Sequence, residues 1–440
     1  MSTILLQNGR VIDVANGVDG IGDVQVSNGV VDQISHSPIS IPSNSTVIDC
    51  SDCIISPGLI DIHVHFREPS NGKHEETIAT GAAAAVAGGF TTVCTMPNTT
   101  PAIDSPEAIK ESIEIAEHIG LCRIFPTGCA TINRQGETIA PIQEMVQAGA
   151  IAITDDGDVV ENTEVMKEVL RQCKAMNVPF MQHCQDPETT IGGVMNEGEL
   201  QRALGYKPWP RSAEESIIAR DIEINTSIGA ACHAQHISSG GSIKLIQDAQ
   251  KDHIPYTGEA SPHHLLLTEE ACKSLGTMAK MNPPLREQSD IDAIKEGIAD
   301  HTISILATDH APHPLATKEC DFPNASFGIV GLECALALYT KALIEEGPLD
   351  WPEMLAMMTC NPANLIRRPS LGRFTVGDLA DIAIIDPNYS WTIDSSSFAS
   401  SGKNCPFDGW NVNCKPIATV WGGEIVYETL GNRLARCEKV

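Results

Sequence analysis

Aromatic and basic residues are the scarcest classes in this chain of 440 residues. Phe, Trp and Tyr together make up 4% of the sequence, which leaves few rings on which the bases of single-stranded nucleic acid could stack. The chain carries 57 acidic against 29 basic residues, for a formal net charge of −28. Because this balance repels nucleic acid and anionic membrane surfaces, neither is an expected partner. An anionic substrate would need a local cationic pocket to overcome the global field.

Long apolar runs and a paired set of cysteines are also missing. The longest stretch of small apolar residues, 79–96, is broken by Gly88 and Gly89 and predicts a helix followed by a strand, not a membrane span. Residues 1–8 lack a basic region followed by an apolar core, so no signal peptide is expected. The 15 cysteines are scattered, and Cys50 and Cys53 have no second pair at zinc-ribbon spacing. Reduced thiols in the cytoplasm are therefore the expectation.

The middle of the chain alternates between short β-branched runs and longer helical patterns. This alternation predicts an α/β fold, a parallel (β/α)8 barrel of the TIM type, closed by a helix over 327–346. The eight predicted strands are 54–60, 90–96, 122–128, 150–155, 178–184, 231–237, 254–259 and 302–308. The predicted helices between them include 75–87, 105–118, 141–148, 163–176, 213–227 and 241–251.

Both ends of the chain have a different pattern. Short strand-like runs are broken by Asn-Gly pairs at positions 8–9 and 28–29, which are typical of hairpin turns. Similar runs return at 381–385, 418–421 and 424–427. We therefore expect a small composite β-rich domain made from residues 1–53 and 367–440, with the barrel over 54–366.

Metal-capable side chains recur at the ends of the predicted strands. His63 and His65 stand one residue apart, so a strand directs both imidazoles, with Asp61 and Arg67, to one face. Further candidates end four other strands: Asp155 and Asp156 the fourth, His183 the fifth, His236 the sixth and Asp309 the eighth. Because barrel active sites form at the C-terminal ends of the strands, these side chains are predicted to converge.

Each candidate taken singly also has a purely structural interpretation. His183 and His236 would suit hydrogen-bonded core positions, the Asp-Asp-Gly run at 155–157 suits an Asx turn, and Asp309 suits a helix cap. Their joint occurrence favours two divalent ions roughly 3.5–4 Å apart, bridged by a hydroxide and a carboxylate. Nitrogen and oxygen ligands fit zinc best. An aspartate beside that hydroxide can carry a proton to a leaving nitrogen, which predicts hydrolysis or formation of an amide-type bond.

Six motifs together resemble one family closely. They are GLIDIHVHFREP at 58–69, MPNT at 96–99, TDDG at 154–157, SPHHL at 261–265, MNPPL at 281–285 and ATDHAPH at 307–313. In this combination they look like the dihydroorotases, and among them the bacterial type I branch of the cyclic amidohydrolases. The resemblance covers nearly the whole chain. It implies reversible cyclisation of N-carbamoyl-L-aspartate to (S)-dihydroorotate in pyrimidine synthesis.

The resemblance also implies a role for each matching residue. One zinc ion would be held by His63, His65 and Asp309, a second by His183 and His236, and Asp156 would bridge both. Asp309 would also be the proton shuttle. Substrate would be bound by His65, Arg67, Asn98, Asn282 and His313, with the backbone around Phe327 and Gly328 completing the pocket. Residues 314–326 are polar and aperiodic, which predicts a lid over the substrate.

Two alternatives to this function stay open. One is another cyclic amidase, an allantoinase, hydantoinase or dihydropyrimidinase, although relatives of that kind more often bridge their metals with a carboxylated lysine. The other is a catalytically silent relative kept as a partner of aspartate transcarbamoylase, which would be expected to have lost metal ligands. A homo-oligomer is also expected, and type I relatives can associate with a transcarbamoylase.

Overall fold

The computed structural model describes residues 3–70 and 76–437. The first residue of the helix predicted over 75–87 lies outside these ranges, as do the extreme residues of both predicted terminal segments. No helix within the described ranges is long and apolar enough to cross a membrane.

One sheet joins the two ends of the chain. Its strands are Thr3–Asp13, Val18–Ser27, Val30–Ser35, Ser45–Asp49, Ile54–Pro57, Ile382–Asp386, Lys415–Trp421, Glu424–Glu428 and Leu434–Cys437. Ile382–Asp386 pairs antiparallel with Ile54–Pro57, and Leu434–Cys437 pairs with Ser45–Asp49. The β-rich ends therefore share one set of hydrogen bonds and one apolar core.

Only one of the two Asn-Gly pairs forms the predicted hairpin. Asn28 and Gly29 both have positive φ and connect two antiparallel strands. The prediction at Asn8 and Gly9 was wrong, because this pair lies inside the first strand, where the register shifts. Asn8 has a φ of 64° and its backbone N–H donates to Asp23, so the left-handed residue forms a bulge instead of a turn.

Two arcs of parallel strands form the middle of the molecule. One contains Leu59–Val64, Phe90–Thr95 and Arg123–Pro126, and the other contains Phe180–Gln182, Cys232–Ala234, Tyr256–Ala260 and Ile305–Leu306. Parallel bridges at Ile153 connect the arcs on one side, to Gly128 and to Phe180. A further bridge joins Val64 to His310 on the other side. The segment predicted as the fourth strand thus takes part through isolated bridges only.

The first predicted strand is divided at Gly58. Ile54–Pro57 belongs to the terminal sheet, and Leu59–Val64 belongs to the parallel strands. A Cβ at Gly58 would lie 2.0 Å from the hydroxyl oxygen of Thr91. The chain therefore passes from one sheet to the other at a point where only glycine fits.

Helices alternate with the parallel strands and cover them. Their bounds are Ile78–Ala87, Pro106–Ile119, Ile142–Ala148, Thr163–Met176, Pro187–Thr190, Glu199–Leu204, Ser212–Ile228, Gly240–Lys251, Pro262–Leu266, Ala271–Leu275, Gln288–Ala299, Ala335–Tyr339, Trp351–Met357 and Cys360–Leu365. Several start at side-chain caps, such as Ser105 and Asn162. Apolar side chains of strands and helices meet in the largest core of the molecule.

The closing helix is shorter than predicted. Instead of beginning at 327, it begins at Ala335 and continues as a π-helix over Thr340–Glu345. Gly328 has a φ of 117°, and the backbone N–H groups of Gly331 and Leu332 donate to the ring of His310. These contacts hold residues 327–334 in a non-helical path that leads past the ends of the parallel strands.

Two short strand pairs lie outside these sheets. Met195–Asn196 pairs with Pro208–Trp209, and Trp391–Thr392 pairs with Asn411–Val412. The predicted lid region carries two short 3-10 turns, Leu315–Thr317 and Phe322–Asn324.

Candidate metal centre

The C-terminal ends of the parallel strands enclose a cavity of about 160 Å³. Apart from His63, every residue to which the family resemblance gives a site role lines this cavity: His65, Arg67, Asn98, Asp156, His183, His236, Asn282, Asp309, His313, Phe327 and Gly328. The strand-end candidates Asp61 and Asp155 do not line it. His63 lies deeper and is fully buried. The parallel topology therefore brings together side chains that are far apart in the sequence.

A first group of potential metal ligands consists of His63, His65 and Asp156. The Nε2 atom of His63 lies 3.3 Å from Oδ1 of Asp156, and the Nε2 atom of His65 lies 3.5 Å from Oδ2 of the same carboxylate. The Nε2 atom of His63 is buried and has no hydrogen-bond partner among the described residues. Two imidazoles and a carboxylate thus face one small volume.

A second group consists of His183, His236 and again Asp156. Nδ1 of His183 and Nε2 of His236 are 2.8 Å apart, and they lie 3.6 and 3.8 Å from Oδ1 of Asp156. Nε2 of His183 donates to Oε1 of Gln185 at 2.9 Å, which leaves its Nδ1 lone pair directed at this group. Asp156 is the carboxylate common to both groups.

Asp309 stands beside the first group. Its Oδ1 lies 3.1 Å from Nε2 of His65 and 3.6 Å from Nε2 of His63. Its φ of 50° is in the left-handed region. Burial alone would raise the pKa of Asp309, but the hydrogen bond from His65 and the nearby imidazoles lower it below its usual value. This carboxyl group is therefore ionised at neutral pH and can accept a proton.

The ligand chemistry fits divalent metal ions. The ring nitrogens of four histidines converge with carboxylate oxygens at a buried place, where an imidazole such as that of His63 would otherwise leave a nitrogen unsatisfied. Neutral imidazole and carboxylate are ligands that zinc accepts readily.

Glu259 is a functional candidate that the sequence analysis missed. Its fully buried carboxylate accepts from Nδ1 of His63 at 2.6 Å and from Nε2 of His233 at 3.1 Å. Burial would raise the pKa of Glu259, but the adjacent imidazoles lower it well below its ordinary value. A carboxylate behind a ligating imidazole fixes the tautomer that leaves Nε2 free for a metal. The sequence did contain a sign of this site residue, because Glu259 is a carboxylate at the end of the seventh predicted strand.

Asp61 does not face the cavity, although strand alternation placed it with the histidines. Its carboxylate accepts from the backbone N–H groups of His63 and Thr308, so it fastens the first and last parallel strands together. Burial raises the pKa of Asp61 to about 7.

The cavity also contains groups suited to a small anion. The guanidinium of Arg67 is buried, with Nη2 3.3 Å from the ring of His313. Burial lowers the pKa of Arg67 to about 10, which leaves it charged at neutral pH. The amide nitrogen of Asn282 donates to Gln185, and its Oδ1 is buried without a hydrogen-bond partner among the described residues.

Asn98 is engaged with the ligand groups themselves. Its Oδ1 accepts from Nδ1 of His65 at 2.9 Å, and its Nδ2 donates to Oδ2 of Asp156 at 3.1 Å. Asn98 therefore orients one imidazole and the shared carboxylate in addition to lining the cavity.

The chain is similar to known proteins in both sequence and fold. The model of the Amidohydrolase family matches residues 54–426. Curated relatives named dihydroorotase include one from Citrifermentans bemidjiense, 41% identical over 97% of this chain and 99% of the relative. Another, from Pelobacter propionicus, is 40% identical over 96% of this chain and 99% of the relative.

Solved structures of similar fold carry other names. An L-hydantoinase (dihydropyrimidinase) from Arthrobacter aurescens has a TM-score of 0.87 at 23% identity and covers 99% of this chain and 97% of its own. A dihydropyrimidinase from Brevibacillus agri has a TM-score of 0.83 at 19% identity, with coverage of 97% and 95%. At these identities the likeness shows the fold alone, a TIM barrel with a β-rich domain.

Proposed function

The chain belongs to the amidohydrolase family, and we propose that within it the protein is a dihydroorotase, interconverting N-carbamoyl-L-aspartate and (S)-dihydroorotate in pyrimidine synthesis. The observation that carries this proposal is the buried Arg67, which lines the same cavity as both ligand groups. Dihydroorotate bears a carboxylate, and a guanidinium fork matches a carboxylate with paired charged hydrogen bonds. The near full-length similarity to proteins named dihydroorotase supports the same substrate.

The proposed metal centre holds two zinc ions. His63, His65 and Asp309 would bind the first, His183 and His236 the second, and Asp156 both, because its carboxylate is common to the two groups. Glu259 would hold the ring of His63 in the ligating tautomer. When bound, the two ions supply a Lewis acid for the ring carbonyl and lower the pKa of an attacking water.

Asp309 is the proposed proton shuttle. In the hydrolytic direction its carboxylate takes a proton from the attacking water as the water oxygen bonds to the ring carbonyl carbon. The same carboxyl group then gives that proton to the ring nitrogen as the carbon–nitrogen bond breaks. The products are a ureido group and a carboxylic acid, which releases the second proton of the water to solvent and becomes a carboxylate, while Asp309 returns to its ionised form. Its position in the cavity, with Oδ1 3.1 Å from Nε2 of His65, supports this role.

The remaining cavity groups are proposed to bind substrate. Arg67 and His313 would hold the carboxylate, while Asn98 and Asn282 would present amide groups to the ring, which has both donors and acceptors. The backbone at Phe327 and Gly328 would complete the wall, with His65 close to the reacting carbonyl.

We also propose that the parallel strands close into an eight-stranded barrel over roughly 54–366, with 1–53 and 367–440 forming the β-rich domain. The parallel bridge between Val64 and His310 supports closure. Because Ile54–Pro57 pairs with the terminal sheet, the first boundary is better drawn at Gly58. A cytoplasmic location, a homo-oligomer and association with aspartate transcarbamoylase remain proposals from the family resemblance.

A substrate panel tests the function. Purified protein of measured zinc content is assayed with dihydroorotate, allantoin, dihydrouracil and hydantoin. We expect kcat/KM for dihydroorotate to exceed the others by about 100-fold or more, since the site's charged group would be left unpaired by rings without a carboxylate. A preference for hydantoin or dihydrouracil would replace this proposal with the hydantoinase function of the structural neighbours.

A further inference from the structure

Two buried lysines lie behind the cavity wall that contains Asn282, Phe327 and Gly328. Lys280 and Lys318 are each 1% exposed. In the described part of the chain neither ammonium group forms an ion pair, and both donate to backbone carbonyls instead. Burying an ammonium group without a carboxylate is costly, so each must be held by several well-placed hydrogen bonds.

Lys280 contacts the C-terminal part of the predicted lid, residues 314–326. Its Nζ donates to the carbonyl oxygens of Pro323 at 2.9 Å and Ala325 at 2.7 Å. The same Nζ lies 4.1 Å from the ring centroid of Phe327, within cation–π range. Its backbone carbonyl accepts from the N–H of Gly328 at 3.0 Å. One residue thus contacts both the 323–325 stretch and the cavity wall.

Lys318 makes the reciprocal contact from the lid region. Its Nζ donates to the carbonyl oxygens of Thr277 at 3.2 Å and Lys280 at 2.9 Å. The hydroxyl of Thr277 donates to the carbonyl of Lys318 at 2.5 Å. Residues 317–325 are therefore fastened to residues 277–280 at both ends. Burial lowers the pKa of Lys280 to about 8 and that of Lys318 to about 7.

We propose that Lys280 and Lys318 are positioning residues, a two-lysine clamp that fixes residues 314–326 against 277–282 and so presents Asn282, Phe327 and Gly328 to the substrate. The proposal rests on the proposed function and refines it. Residues 314–326, predicted as a lid, would instead be held in place beside the cavity. Neither lysine lines the cavity, and the hydrogen bonds of both ammonium groups go to backbone carbonyls and not to a candidate metal ligand. Loosening the clamp should therefore weaken substrate binding and leave the metal centre and the proton transfer intact.

The experiment compares four variants of the zinc-loaded protein. Lys280→Met and Lys318→Met remove the clamp, and Thr277→Val removes only the hydroxyl bond to Lys318. Lys273→Met is the matched control, because Lys273 is an exposed lysine of the neighbouring helix, paired with Glu270. Steady-state kinetics with dihydroorotate and amide hydrogen exchange over 314–326 are measured for each.

We expect KM to rise about tenfold or more in both lysine variants, as loss of one or two hydrogen bonds to a charged group implies. kcat and zinc content should stay within about twofold, and exchange over 314–326 should become faster. Thr277→Val should raise KM by about two- to fivefold, the effect of one neutral hydrogen bond. Lys273→Met should match the unmodified protein.

Unchanged KM and unchanged exchange in the lysine variants would overturn the clamp. So would parallel loss of kcat and zinc with KM preserved, because that pattern indicates a general folding role. If a lysine variant does not fold, the smaller Thr277→Val change still decides between these outcomes. If the unmodified protein does not act on dihydroorotate, the proposed function fails, while the exchange data still test the clamp.

Discussion

At the scale of single residues, the site depends on carboxylates whose protonation is set by neighbouring imidazoles. Asp156, Glu259 and Asp309 are all buried, and each has a lowered pKa because histidine rings outweigh the cost of burial. No imidazole of the described residues donates a hydrogen bond to Asp61, and burial raises its pKa to about 7. Buried carboxyl groups are thus kept ionised at the proposed metal ligands, the proposed proton shuttle and the residue behind His63.

Replacing Asp309 by Asn tests the proton shuttle. The amide keeps an oxygen near His65 but cannot accept a proton, so we expect kcat to fall by about 10²–10⁴-fold, the usual contribution of a general acid–base group. The zinc content of the variant and its kcat at the plateau of the pH profile are measured on the same sample. A variant that keeps its zinc and most of its activity would remove Asp309 from proton transfer.

Replacing Arg67 by Met tests recognition of the substrate carboxylate. Loss of a hydrogen-bonded charge pair should cost about 1.5–3 kcal/mol in kcat/KM, or about 10- to 150-fold. Turnover of hydantoin, which lacks the carboxylate, serves as the internal control and should change little. Equal losses of kcat/KM with both substrates would indicate that Arg67 does not bind the carboxylate. Its role would then be to support the cavity wall through its contact with His313.

At the scale of secondary-structure elements, the sequence predicted the presence of strands and helices more accurately than it predicted their first residues. The His63 and His65 pair and the strand-end positions of His183 and His236 follow from periodicity, so these residues could be placed at one end of the fold. The division of the first strand at Gly58 could not be predicted, because it depends on a contact with Thr91, a residue distant in the sequence.

Other misses at this scale have similar causes. The closing helix starts late because Gly331 and Leu332 donate to His310, a tertiary contact that overrides local helix propensity. Glu259 could be placed at the end of the seventh predicted strand, but its role depends on a hydrogen bond with the ring of His63, which the sequence does not specify. Individual roles thus required partners that no local pattern specifies.

The crossing at Gly58 gives a prediction for this scale. In Gly58→Ala the new methyl group would lie within 2.0–2.7 Å of the Thr91 side chain, so we expect the free energy of unfolding to fall by about 1–3 kcal/mol. Urea denaturation measures the loss. The double variant with Thr91→Ala should recover part of it, because two of the clashing atoms are then removed; no recovery would place the strain elsewhere.

At the scale of the whole molecule, the acidic surface opposes the chemistry of the site. A formal net charge of −28 repels an anionic substrate, whereas the buried guanidinium of Arg67 would attract it at short range under the proposed function. Salt screens the long-range repulsion more effectively than the contact inside the cavity, since the Debye length falls from about 30 Å at 0.01 M to about 8 Å at 0.15 M. The two terms can therefore be separated by ionic strength.

We expect kcat/KM for dihydroorotate to rise about two- to threefold between these salt concentrations, because approach of the anion is no longer opposed by the distant carboxylates. Steady-state assays in a salt series measure the slope. A neutral ring that is turned over even slowly, such as dihydrouracil, is the control and should give a flat profile. A fall in kcat/KM with salt for dihydroorotate alone would mean that the local field of Arg67 extends beyond the cavity and governs capture of the substrate from solution.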